Sequence, residues 1–275
     1  MRRASSFWLT VIPLLSTLIA DKTTAADEGD LYRATVFVTG QGQPERTRGT
    51  GLAFVEVLVK VSGDPRLARD PHVAALAKDA GALAASYDYR DRKQGLPLID
   101  EQGTRDRPFD LTVQFEVAKI DTALRSLGRA PWTRPRPRVA VFLAIQDQQT
   151  RYVLAQDGAR GLGQRQALDA VARKRALPVA LPSEAMLDAE HVTYGALAAT
   201  APPAFSGATK AAGGDAALFG TLAWSEAALG WTAAWHMAAR GKNHSWGVSG
   251  VSFDDAFRNA VDGALEILSG HGSPD

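Results

Sequence analysis

Phe109, Leu111, Val113, Phe115 and Val117 alternate with Asp110, Thr112, Gln114 and Glu116, the most regular stretch of the chain. A period of two turns one row of side chains toward a core and the other toward water, which predicts a strand buried on one face. An earlier strand is predicted over 32–39, where Thr35, Val36, Phe37, Val38 and Thr39 are β-branched or aromatic. Gly40 to Pro44 break it; Leu52, Val55 and Val59 then recur at helical spacing until Ser62-Gly63-Asp64-Pro65 stops the helix. Asp70 caps and Pro71 opens a second helix, with Val73, Leu76, Ala77, Ala80, Leu83 and Ala84 as its buried stripe. A strand over 87–92 leads to a polar hairpin around Gln94-Gly95 and Glu101-Gln102-Gly103, and a short helix over 120–127 ends at Gly128. This order suits antiparallel pairing with helices on one face.

Residues 129–138 hold three prolines and four arginines, a segment that cannot join a helix and reads as a solvated, semi-rigid linker. Beyond it, the unbroken apolar run 139–145 suits a central strand. A shorter strand over 152–154, an amphipathic helix over 162–176 with Leu162, Leu168, Val171 and Ala172 inward, and an edge strand over 177–182 follow. Residues 183–212 are Ala-rich and weakly patterned, with breaks at Pro202-Pro203 and, just beyond, Gly213-Gly214. Strands are predicted again over 216–224, 231–239 and 244–249. The last helix lines up Phe253, Phe257, Ala260, Val261, Ala264, Leu265 and Leu268. The expected fold is α+β or α/β: two small mixed-sheet domains with helices packed on the sheets. The N-terminal α+β domain takes 27–128, the linker 129–138, the C-terminal α/β domain 139–270, and a tail 271–275.

The beginning of the chain follows another rule. Arg2 and Arg3, an apolar run over 7–19 and the small residues Thr24 and Ala26 form the pattern of a secretory signal peptide over 1–26, cut before Asp27 or, as a second option, after Leu18-Ile19-Ala20. The run falls short of the ~18–20 residues that span a bilayer, and Pro13 interrupts it. A retained anchor is the alternative. Export through a cleaved signal implies a periplasmic protein with no stable membrane insertion afterwards, because no later apolar run is long enough.

Composition narrows the chemistry. With 275 residues, 45% of them hydrophobic, the chain can bury a proper core. Thirty-one Lys and Arg against thirty Asp and Glu leave no basic excess for nucleic acid. The absence of Cys excludes disulfides, Cys-ligated zinc, thiol catalysis and lipid attachment at an N-terminal Cys.

None of the five histidines (His72, His191, His236, His244, His271) forms an H-x-x-x-H pair; His236 and His244 could approach across a hairpin, but no third ligand has a fixed spacing. No metal and no cofactor is therefore expected. The glycines of Gly158-Ala159-Arg160-Gly161-Leu162-Gly163 lack the partner three residues on that a dinucleotide fingerprint needs. Gly247-Val248-Ser249-Gly250 misses a nucleophile elbow by one place, so no catalytic residue is assigned. Trp224, Trp231, Trp235 and Trp246 cluster in the predicted C-terminal hairpin, with Trp231, Trp235 and Met237 on one face and Thr232, Ala234 and His236 on the other. Exposed, such a face binds glycan or a partner chain, and Trp231, Trp235, His236 and Trp246 are its candidate residues. Packed on the following helix it is core, as large aromatics beside an apolar helix usually are.

The stretches LYRATVFV, GLAFVEVLVKVSGDPRL, FDLTVQFEVAKIDTALRSLG, PWTRPRPRVAVFLAIQ, ALDAVARKRALPVALP, GGDAALFGTL, GWTAAWHM and SFDDAFRNAVDGALEIL together resemble an uncharacterised bacterial secreted family, domain of unknown function 2066. More distantly, the two units look like the N-terminal and middle domains of the flagellar periplasmic H-ring protein. The second unit also looks like the domain shared by a penicillin-binding-protein activator and curli-secretion proteins. That resemblance implies assembly rather than catalysis. The expected function is a non-enzymatic adaptor with a protein partner in the cell envelope. A glycan- or peptide-binding protein using the Trp hairpin is the alternative, and a hydrolase without a recognisable motif comes third.

Overall fold

The computed structural model describes residues 28–95, 99–100, 103–104, 107–133, 135–199 and 205–274. The expected signal segment and Pro202-Pro203 lie outside them. After a short helix α1 (Glu28–Leu31), strand β1 (Arg33–Val38) leads into α2 (Gln43–Ser62), a 3-10 turn (Pro65–Arg69), α3 (Pro71–Leu76), a second 3-10 segment (Ala77–Leu83) and β2 (Ala84–Asp91). A two-stranded ribbon, β3 (Ile99–Asp100) with β4 (Gly103–Thr104), precedes β5 (Phe109–Phe115) and α4 (Val117–Ser126). The alternating segment is the centre of a three-stranded antiparallel sheet in the order β1–β5–β2. Its inner row, Leu111, Val113 and Phe115, is buried with Val36 and Val38 of β1 and with Phe54, Val57 and Val61 of α2. Its outer row stays half-buried and polar, with Thr112 hydrogen-bonded to Thr35.

Two local expectations shift. Helix α2 begins at Gln43, well before its apolar spacing, because Pro44, lacking an N–H, suits a first turn whose N–H groups have no partner within the helix. The single helix expected after Asp70 tightens to 3-10 geometry at Ala77; Asp70 caps it as expected, accepting from the His72 N–H.

The second unit runs β6 (Val139–Asp147), β7 (Thr150–Val153), α5 (Leu162–Lys174), β8 (Val179–Ala180), α6 (Glu184–Ala189), α7 (Tyr194–Leu197), α8 (Ser206–Ala211), β9 (Ala216–Ser225), β10 (Gly230–Ala239), β11 (Lys242–Val251) and α9 (Phe253–Ser269). Its sheet has the order β11–β10–β9–β6–β7, with β8 beside the start of β6. Strands β8 and β9 run parallel to β6 and the other pairs are antiparallel, so the fold is α+β, with a mixed sheet in the second unit and, against expectation, a purely antiparallel one in the first.

Strand β6 is buried on both faces, as its unbroken apolar run requires. Val141, Leu143 and Ile145 join the main core, while Ala140, Phe142 and Ala144 face a second cluster with Leu187, Val192 and Leu197. These partners come from the weakly patterned 183–212, whose described residues include three helices of four to six residues. Helices this short show no period, and their visible signals are the caps Ser183 and Thr193, which accept from the N–H groups of Met186 and Ala196. Leu162, expected inward, is the first residue of α5 and is exposed. Among the described residues no helix is long and apolar enough to cross a membrane.

The described residues of the Pro/Arg segment are only partly solvated, with Ala130, Thr133 and Pro135 exposed and the rest half-buried. The Trp132 N–H donates to the Val61 carbonyl at 2.8 Å, and its ring packs against the core. Arg136 donates to the carbonyls of Arg175 (2.6 Å), Ala176 (3.2 Å) and Lys60. A guanidinium thus sits where α2 and α5 both end, held by the negative poles of two helices, with the Trp132 ring 4.6 Å away. Just past α2, the fully buried carboxylate of Asp64 receives Arg66 (2.8 and 3.0 Å) and Arg129 (2.7 Å). The Ser269 hydroxyl reaches the Gly63 carbonyl at 2.9 Å, and His271, expected in a free tail, donates to the Ser62 carbonyl at 3.1 Å. One continuous cluster of buried apolar side chains runs from Leu31 in the first unit to Ile267 in the second.

Candidate functional site

The structure brings the predicted site residues Trp231, Trp235, His236 and Trp246 onto one hairpin, β10 paired with β11 through the two-residue turn Arg240-Gly241. Both turn residues have positive φ, the twist that joins adjacent antiparallel strands. Trp231, Trp235 and Trp246 are all buried, Trp235 completely. Trp246 donates its indole N–H to the Asn259 carbonyl at 3.1 Å, and Trp231 meets Phe253 edge-on. Two glycines make the room: a Cβ at Gly220 would come within 2.2 Å of the Trp235 ring, and one at Gly263 within 2.5 Å of Trp246. The three tryptophans are core beneath α9, so an exposed aromatic binding face is not what this hairpin presents.

His236 is the predicted site residue on the other face. Its Nδ1 lies 2.9 Å from the Ser245 hydroxyl, and Thr232 and Ser249 pair at 2.8 Å beside it. His244 is turned away and meets Ser273 at 2.6 Å, so the two histidines do not share a ligand position. Strand β11 is the outermost of its sheet over ten residues, with Asn243, Ser245, Gly247 and Ser249 exposed. Among the described residues no strand neighbours its outer row of backbone N–H and C=O groups.

A cleft of about 1000 Å³ lies elsewhere, where β1 and α2 of the first unit face α5 and the turn before β8. Its charged lining is mostly paired: Arg33 with Asp30, Lys174 with Glu56, and Arg173 with Asp169 at 2.9 Å. Arg90 is held by Asp110 at 2.6 Å. Lys60 differs from all of these. It is 7% exposed, and its ammonium donates to the carbonyls of Asp30 (2.8 Å) and Arg33, with no carboxylate of the described residues in contact. Burial away from water pulls its pKa down to about 8, against the weaker opposing pull of Glu56 and Asp30. The sequence did carry a signal for it: one Lys inside the apolar run Val57-Leu58-Val59-Lys60-Val61 of a core helix.

A family model described as a domain of unknown function (DUF8605) matches residues 25–133, which take in the β1–β5–β2 sheet and its helices. This overturns the resemblance to domain of unknown function 2066, since the matching family is a different one, and nothing found supports the likeness to the flagellar H-ring protein. No curated protein and no solved structure matches the chain.

Proposed function

We propose that this chain is an exported periplasmic protein that works by holding a partner protein in the cell envelope, as an adaptor rather than an enzyme. The observation that carries the reading is the free edge of β11. Over 242–248, before a bulge opposite Thr232 and the left-handed Gly250, the edge offers a regular ladder of backbone groups to an extended strand, and the small, hydroxyl-bearing row beside it lets that strand approach closely. The opposite edge, β7, has only four residues. The alternative of glycan binding through the tryptophans loses its footing with their burial.

The test is site-specific photo-crosslinking in cells, with the photoreactive residue at Asn243 or Ser249 on β11 and, as control, at Arg125 on α4, all exposed. A single envelope protein captured from β11 and absent from the α4 control is the expected result. Equal or no capture from the two places overturns the adaptor reading.

A further inference from the structure

The cleft between the two units contains a feature that the adaptor reading does not use. Among the described residues, Lys60 is the one cation of the lining that meets no carboxylate, and it is also the most buried. An ammonium carries three N–H groups, and two of them are taken by main-chain carbonyls of Asp30 and Arg33. Every other charge facing it is engaged. Glu56, one turn earlier on α2, is bound by Lys174 across the cleft, and Asp30 is bound by Arg33. Arg136 adds positive charge from behind, donating to the carbonyl of Lys60 itself. A buried cation whose nearby carboxylates, Glu56 and Asp30, are each bound by another cation is a costly arrangement that an anion relieves.

We propose that this cleft is a binding site for a small oxyanion, of the phosphate or carboxylate class, whose charged group takes the third N–H of Lys60. The cleft is wide enough for a small organic anion and open enough for it to enter. Arg33 and Lys174 stand at the rim with side chains about half exposed, 50% and 49%, so each can offer a further N–H to a ligand while it keeps its carboxylate. The carboxylates of Asp30, Glu56 and Asp169 would repel an anion if bare. Their cations neutralise them, which leaves Lys60 to give the site its sign.

The test follows the side-chain NMR signal of Lys60 through a pH titration of the purified full chain at constant ionic strength. It is done first in chloride, then with inorganic phosphate, then with citrate. An anion that binds the protonated amine raises its titration midpoint, and tenfold preference for that form moves it up by about one pH unit from the value in chloride. A rise with phosphate alone identifies a phosphoryl ligand, a rise with citrate alone a carboxylate ligand, and a rise with both a general oxyanion site. A midpoint unmoved by either overturns the proposal. Lys174→Gln releases Glu56 to face Lys60 and should weaken the anion effect at least fivefold; an undiminished effect places the anion elsewhere and also overturns it. Purified chain is used without any partner, so the result does not depend on the adaptor reading.

Discussion

The two units touch on two sides, and the same kinds of residue behave differently on each. On the closed side, Asp64 is fully buried and receives two guanidiniums, while Arg136 is sunk between the ends of α2 and α5. On the open side, Arg33, Arg173 and Lys174 make ion pairs with half or more of their side chains in water. Charges on the closed side have been given up to architecture, since moving any of them would strand a partner away from water. Those on the open side gain little from their pairs and can exchange them. The difference separates residues that hold the molecule together from residues free to meet a ligand.

The contrast breaks most visibly at Asp64. Removing both of its guanidiniums, in the double variant Arg66→Gln and Arg129→Gln, leaves a buried carboxylate with too few donors and should cost about 3–5 kcal/mol. Chemical denaturation of the purified protein measures this; a loss below about 1 kcal/mol would show that the closed side is not what locks the units. Acid reads the same group. Its arginine hydrogen bonds outweigh burial and hold Asp64 at about 2, below the ordinary 3.8. A carboxyl with a depressed folded pKa contributes its stability in full above about 4, and that contribution, roughly 2 kcal/mol, is lost as pH falls from about 4 to 2. Asp64→Asn should flatten this part of the stability profile, as followed by urea melts across the acid range.

How much of this was legible depended on length and period. Strand β5 and helix α9 run through several repeats of their periods, and the structure keeps the buried rows that Leu111, Val113, Phe115 and Phe257, Val261, Leu265 marked out. Period two also divided β10 into a Trp row and a His236 row, but the pattern alone carries no information on which row meets a helix. Gly220 and Gly263 decide it, and they matter only through neighbours far along the chain. The Pro/Arg segment misled for a related reason: charge and proline suggest solvent when read locally, whereas Arg136 finds its acceptors at the ends of two helices distant in sequence. Lys60 was visible as one charge in an apolar run, yet the cleft beside it exists only once the units come together. Gly220→Ala tests the decisive contact. A methyl pushed into the Trp235 ring should cost about 1–3 kcal/mol through overpacking, read as a lowered thermal midpoint.

The smallest effect is the sharpest check on the comparison. Lys174 and Arg173 lie at the cleft rim, and His236 lies on the outer face of β10, all with their polar atoms in or near water. Lys174→Gln, Arg173→Gln and His236→Ala should each change stability by no more than about 0.5 kcal/mol, since exposed pairs and surface hydrogen bonds contribute little. If the Lys174→Gln loss instead approaches that of the Asp64 variants, its link to Glu56 is a second lock between the units. The open side would then be architecture too, and its charges would have no freedom to turn toward a ligand.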